Sequence, residues 1–233
     1  MATGIFEVPK MIVTNTIGPT LSESLRILPD ALLYGTGVLS LITYQTPMLF
    51  LFGVVALSFV ASNFVGKTFQ TFMPQDVPPA KASDRCIPGL YSPTPARISL
   101  FSELANTSGF PSMPMFVLSS VIAYCISAVY QQAEVLKELG PDYEAKLPTI
   151  LFLSLILLIV LMTYLIANEC NGFLIILASL AMGTIFGGLI ATIIPMIFGQ
   201  EATNILGVPL FLKRDAAGQP LYICAVRGPD ANK

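Results

Sequence analysis

The residue types that usually carry catalysis are scarce in this sequence, and one of them is absent. The chain has no histidine among its 233 residues, which removes the commonest general base near neutral pH and the commonest metal ligand. The four cysteines, at 86, 125, 170 and 224, stand far apart, without the CxxC spacing of a zinc or redox site. We therefore expect no catalytic residue, no metal site and no cofactor, and we interpret the protein as a non-enzyme.

Two groups of carboxylates remain as candidates for chemistry, and both have simpler interpretations. Glu169 lies between two strongly apolar segments, where an acid inside a membrane would be a functional site. In the run Asn168-Glu169-Cys170-Asn171 it is better interpreted as part of the polar turn of a helical hairpin. Glu134 and Asp142, with the acids beside them, are typical of a solvated helix face and loop.

The composition indicates a membrane protein. Hydrophobic residues make up 54% of the chain and charged residues only 11%, against roughly 25% charged residues in an ordinary soluble domain. The net charge of −2 lacks the basic excess that nucleic-acid binding requires. We expect the bilayer and neighbouring proteins as partners, and no nucleic acid.

Four apolar segments are long enough to cross a bilayer, for which a helix needs about 20 residues. The first begins at Thr46-Pro47, which has the pattern of an N-cap followed by proline at the first helical position. The fold class is therefore predicted as an all-α membrane protein with about four transmembrane helices. The predicted spans are 47–66, 114–139 with a solvated helical extension, 147–168 and 171–199.

The N-terminal segment, residues 1–46, is predicted to hold helices that lie in the membrane interface. Thr20 and Glu23 have the spacing of a capping box, which predicts a short amphipathic helix that ends at Pro29. A separate helix over 31–44, started by Asp30, would be too short to span comfortably. A five-span alternative stays open.

Two extramembrane segments complete the prediction. Residues 67–113 contain seven prolines and are predicted to form an extended loop. Residues 200–233 are predicted as a tail that folds into a β-hairpin, with strands at 208–213 and 221–227. The candidate partner-binding residues of this hairpin are Val208, Leu210, Leu212, Leu221 and Ile223.

The last span carries small residues every four positions: Ser179, Gly183, Gly187 and Ala191. Such a stripe lets another helix approach closely in lipid, so we predict a helix-packing interface. The second helix could belong to another copy, giving a homo-oligomer, or to this chain's own second or third span.

Lysine and arginine placement predicts the sidedness of the four-span chain. Eight of the twelve basic residues fall on the side of the termini, which favours termini on the cytoplasmic side. The five-span alternative divides them six to six and predicts nothing. In the four-span chain Cys86 and Cys170 share the other face, which leaves a disulfide between them open. The Asn106 sequon lies there too, and we expect it to stay unglycosylated.

The short spans, the proline-rich connection and the tail GVPLFLKRDAAGQPLYICAV at 207–226 together resemble the small multi-span proteins in the inner membrane of large icosahedral DNA viruses. These count among the minor capsid or membrane-anchoring components. The resemblance implies a structural protein of the virion that holds the membrane beneath the capsid shell, with its polar segments contacting capsid proteins. It implies no catalytic residues.

Two other function classes compete with this structural one. The chain could be a channel or transporter subunit that oligomerises through the Gly183 stripe. It could also be a membrane enzyme, such as a lipid-modifying one, whose chemistry would then depend on loop carboxylates and serines.

Overall fold

The computed structural model describes residues 18–72, 86, 109–133, 136–137 and 146–205. Over these residues the chain is mostly helical, with five long helices, one 3₁₀ turn and no strand. The elements are α1 (Gly18–Thr43), α2 (Thr46–Phe72), α3 (Met113–Gln131), α4 (Lys146–Ala167), α5 (Phe173–Phe198) and the 3₁₀ turn (Gln200–Thr203).

Each of the five helices is long and apolar enough to cross a membrane, judged by its length and composition. The expectation of a helical multi-pass membrane protein is confirmed at this level. The predicted number of four spans is not, because α1 is a fifth candidate. The predicted hairpin of the tail lies outside the described residues.

The prediction that a helix ends at Pro29 is wrong, since α1 continues through it to Thr43. Proline removes one backbone donor from the helix, but a helix packed among neighbours tolerates this loss. Pro29 is buried in the bundle, and the helices of the bundle bury Leu25 before it and Leu33 after it. Packing on both sides of the proline therefore keeps the helix continuous.

The junction of α1 and α2 is short. Tyr44 adopts a positive φ of 50°, which ends α1, and α2 then begins at Thr46, the predicted N-cap position. At its other end α2 runs on to Phe72, so residues 67–72 belong to the helix and not to the predicted loop. The first helix breaker after Gly66 is Pro74, which explains the longer helix.

The centre of the bundle is α3, which packs against all four other long helices. Buried residues make up 67% of its spanning window, against 11% in α4. Phe116 and Tyr124 of α3 are among the largest fully buried side chains. The other helices therefore surround α3 and leave their outer faces exposed, as lipid-facing helices do.

Candidate helix interface and disulfide cap

The four small residues of α5 face α3. Ser179, Gly183, Gly187 and Ala191 are all buried, and α3 and α5 form the most extensive helix pair of the bundle. We call this contact the seam. On α3 it involves Phe116, Ser119 and Ser120, and both serines are at most 1% exposed.

The two glycines of the seam allow backbone-to-backbone contact. A Cβ placed on Gly187 would overlap the carbonyl group of Ser120 and lie 2.9 Å from its Cα. A Cβ on Gly183 would overlap the Ser119 hydroxyl and lie 2.5 Å from the carbonyl oxygen of Phe116. Since a Cβ cannot occupy such positions, only glycine permits this helix separation. The next residue, Gly188, has no atom within 4 Å of its own Cβ position.

Hydrogen bonds close the seam at both ends. At one end the Ser112 backbone N–H donates to the Ser179 hydroxyl oxygen at 2.7 Å. At the other end Gln131 donates through Nε2 to the carbonyl oxygen of Ala191 at 2.9 Å. The stripe predicted from sequence thus packs inside its own chain, and an oligomer would have to form through other faces.

Cys86 and Cys170 form a disulfide, with their Cα atoms 5.2 Å apart across a sequence separation of 84. The bond joins the segment before α3 to the turn between α4 and α5. Beside it Asn171 donates from Nδ2 to the Gly109 carbonyl oxygen at 2.8 Å. We call this group the cap: Cys86, residues 109–112 and the turn at 168–172. The pairing that the sequence left open is therefore present.

The turn within the cap ends α4 in a Schellman motif. Glu169 has a φ of 52°, its N–H donates to the Ile166 carbonyl at 2.9 Å, and the Cys170 N–H donates to the Leu165 carbonyl at 2.9 Å. This is the bonding pattern of a helix C-terminus whose next residue is left-handed, a position that glycine usually fills. Glu169 is exposed, so it lies in the polar turn and outside the bundle interior.

The sequence interpretation missed that two charged residues of α1, Arg26 and Asp30, have side chains with little exposure. Arg26 forms an ion pair with Glu23 at 2.7 Å, and its side chain is only 9% exposed. Asp30, one turn further along, is 5% exposed. Residues four apart share a helix face, and this signal was hidden because Pro29 was interpreted as a helix end. A small cavity lined by Arg26 and Tyr164 lies next to Cys86.

Several predicted residues lie outside the part of the chain that the structure describes. They are Val208, Leu210, Leu212, Leu221 and Ile223 of the tail, together with Asn106, Glu134 and Asp142. Among the described residues, no group of three acids or cysteines could hold a metal ion.

Comparison with protein-family models, with curated proteins and with solved structures finds no match in any of the three. The function is therefore argued from the seam, the cap and the composition of the helices.

Proposed function

We propose that this chain is a structural membrane protein that anchors or scaffolds an assembly through its extramembrane segments. The resemblance in its spans, proline-rich connection and tail suggests the inner membrane of a virion, as a minor capsid component. Neighbouring membrane or capsid proteins would be its partners. The proposal includes no catalytic step and no cofactor.

The observation that carries this proposal is the fixed packing of the central helix. Backbone contact at Gly187 and hydrogen bonds at both ends of the seam join α3 to α5, and a disulfide ties the turn before α5 to Cys86. Helices that alternate between two arrangements need an interface with two packings. Backbone contact of this kind supports one arrangement only, which suits an anchor better than a moving transporter.

The outer surface supports the same proposal. Phe152, Leu153 and Ile159 of α4 are each more than half exposed, and such a continuous apolar face is stable in hydrocarbon and not in water. The outer faces of the helices therefore contact lipid. Contacts with partner proteins are then made by the segments outside the bundle.

A channel or transporter subunit is the second candidate, and one observation favours it. Asp30 is buried within a helix that could cross the membrane, and buried acids in spans often mark proton or ion pathways. Solute or proton flux through liposomes containing the purified chain, lost in Asp30→Asn, would establish this candidate. Equal leakage from empty and loaded liposomes would remove it.

Purification in mild detergent tests the structural proposal. The full chain, crosslinked in its native membrane, is expected to carry a fixed set of structural proteins at constant stoichiometry. A multi-pass protein of the same membrane, purified through the same tag, controls for general association. Recovery of the chain alone, with the crosslinker shown to be active, would contradict the proposal.

A further inference from the structure

We infer that the disulfide end of the bundle lies in an oxidising compartment, with the residues before α1 on that side and the residues after α5 on the opposite, reducing side. This arrangement differs from the sequence prediction, which places both termini on the cytoplasmic side. It does not depend on the proposed function.

The first step concerns how the two cysteines meet. Contacts other than the bond hold both cysteines in the bundle: Cys86 packs against the buried cluster that contains Leu165 and Cys170, and Asn171, next to Cys170, donates from Nδ2 to the Gly109 carbonyl oxygen. The Cα distance of 5.2 Å between Cys86 and Cys170 lies in the usual range for a disulfide. Packing of the folded bundle therefore places the two cysteines within bonding distance of each other.

The chemistry then requires an oxidant on that side of the membrane. The two thiols lose two protons and two electrons as the sulfur–sulfur bond forms. A disulfide of a thiol oxidoreductase accepts them and becomes a dithiol. Such a bond persists in compartments that are oxidising and is rare where glutathione and thioredoxin keep thiols reduced.

The second step relates the two ends of the bundle through α2. Phe69, near the end of α2, contacts Phe110 of the cap in a tilted arrangement, with ring centroids 4.6 Å apart. Phe50, near the start of α2, contacts Phe198 at the end of α5, with centroids 4.8 Å apart. Therefore α2 runs the whole way from the opposite end to the disulfide end.

The third step follows α1 in the other direction. Leu25 packs in one cluster with Met115 and Leu165, close to Cys170. Further along, a Cβ on Gly37 would lie 3.2 Å from the ring of Phe52, near the start of α2. From Leu25 to Thr43 the helix rises about 27 Å at 1.5 Å per residue, close to the roughly 30 Å of hydrocarbon. We infer that α1 crosses, which places the residues before it at the disulfide end.

With α1 crossing, charge no longer decides the orientation. The basic residues divide six to six between the two sides, so the positive-inside rule is silent. The disulfide then decides the orientation of the chain, because its end of the bundle must face the oxidising compartment. Lys137, Lys146 and the C-terminal tail then fall on the reducing side, while the residues before α1 and the segment containing Cys86 fall on the oxidising side.

Two exposed glutamines at opposite ends of α2 provide a matched test. Gln45 lies in the α1–α2 turn, and Gln70 lies near the cap. Each is replaced by cysteine in a full-length chain that carries Cys125→Ala and Cys224→Ala and so retains only the disulfide pair. The chains are inserted into sealed microsomes of the endoplasmic reticulum, whose lumen is oxidising, and treated with a membrane-impermeant PEG-maleimide.

The expected result is labelling of Gln45→Cys in sealed vesicles, and of Gln70→Cys only after the membrane is permeabilised. An N-terminal tag should resist added protease in sealed vesicles, whereas a C-terminal tag should be digested. The chain that carries only Cys125→Ala and Cys224→Ala, once denatured, should take up no PEG before reduction and two PEG groups afterwards. The same count on each chain with an added cysteine, one PEG group before reduction and three afterwards, shows that the Cys86–Cys170 bond has formed in that preparation.

Three results would overturn the inference. The two glutamine positions could react alike or in the reverse order, the N-terminal tag could be digested in sealed vesicles, or both thiols could be free before reduction. The test uses no partner protein, so its failure would leave the anchoring proposal standing. Recovery of the chain without partners would equally leave this inference intact.

Discussion

Adding one methyl group at Gly187 tests the seam directly. In Gly187→Ala the new Cβ would overlap the Ser120 carbonyl group, so α3 and α5 must separate by on the order of 1 Å; a gap of this size forfeits a quarter to a half of each affected contact. Gly188→Ala is the matched control, because it adds the same atom one residue along, into open space.

The comparison isolates the packing contribution. Replacing glycine by alanine inside a helix stabilises the helix by up to about 1 kcal/mol through its higher helix propensity. Both variants gain this stabilisation equally. Their difference is then the cost of overpacking, about 1–3 kcal/mol. We expect Gly187→Ala to unfold more easily than Gly188→Ala by that amount.

The assay is unfolding of the full chain in mixed micelles by increasing SDS, followed by the circular dichroism of its helices. Gly183→Ala should lose less stability than Gly187→Ala, because one of the two groups that its new Cβ would overlap is the rotatable hydroxyl of Ser119. Gly187→Ile should lose more stability than Gly187→Ala. Unfolding of Gly187→Ala and Gly188→Ala at the same SDS fraction would refute the backbone contact.

Three further predictions concern the cap and the tail. Cys170→Ser should destabilise the bundle by at most about 4.5 kcal/mol, the chain-entropy value for a loop of this length. Reductant should lower the unfolding midpoint of the unsubstituted chain but not that of the variant. Equal midpoints for the two chains without reductant would contradict this. Glu169→Gly should stabilise the chain by about 1 kcal/mol, because glycine adopts a positive φ without steric cost; a lower midpoint in the same SDS titration would count against the strained turn. Deleting 207–233 should preserve resistance to alkaline extraction, because all five helices precede it, but should reduce co-purification of partners; unchanged recovery of partners would remove the tail from the mechanism.

The sequence was sufficient for the parts of the fold that are governed by local patterns. Uninterrupted apolar runs predicted α4 and α5, and Thr46-Pro47 predicted the start of α2. The spacing of small residues at Gly183 and Gly187 predicted a close helix contact. Each of these signals is contained within one segment and needs no knowledge of its neighbours.

The remaining features depend on contacts between segments. Pro29 has the local pattern of a helix end, and only packing against other helices keeps α1 continuous through it. The stripe of small residues on α5 does not show which helix packs against it. That helix is α3, and its Ser119 and Ser120 have no distinctive sequence pattern that would identify it. The Cys86–Cys170 pair spans 84 positions, and spacing alone could not select it.

The central position of α3 has a consequence for biogenesis. The chain is synthesised from α1 to α5, so α3 leaves the ribosome well before Gly183 and Gly187 exist to cover its serine-bearing face. In the interval that face, whose hydroxyls donate to the Phe116 carbonyl within α3, meets either lipid or the insertion machinery without the close helix contact that α5 later supplies. We expect nascent chains truncated before Phe173 to stay bound to the translocon longer than the full chain, as site-specific crosslinking from Ser120 would reveal.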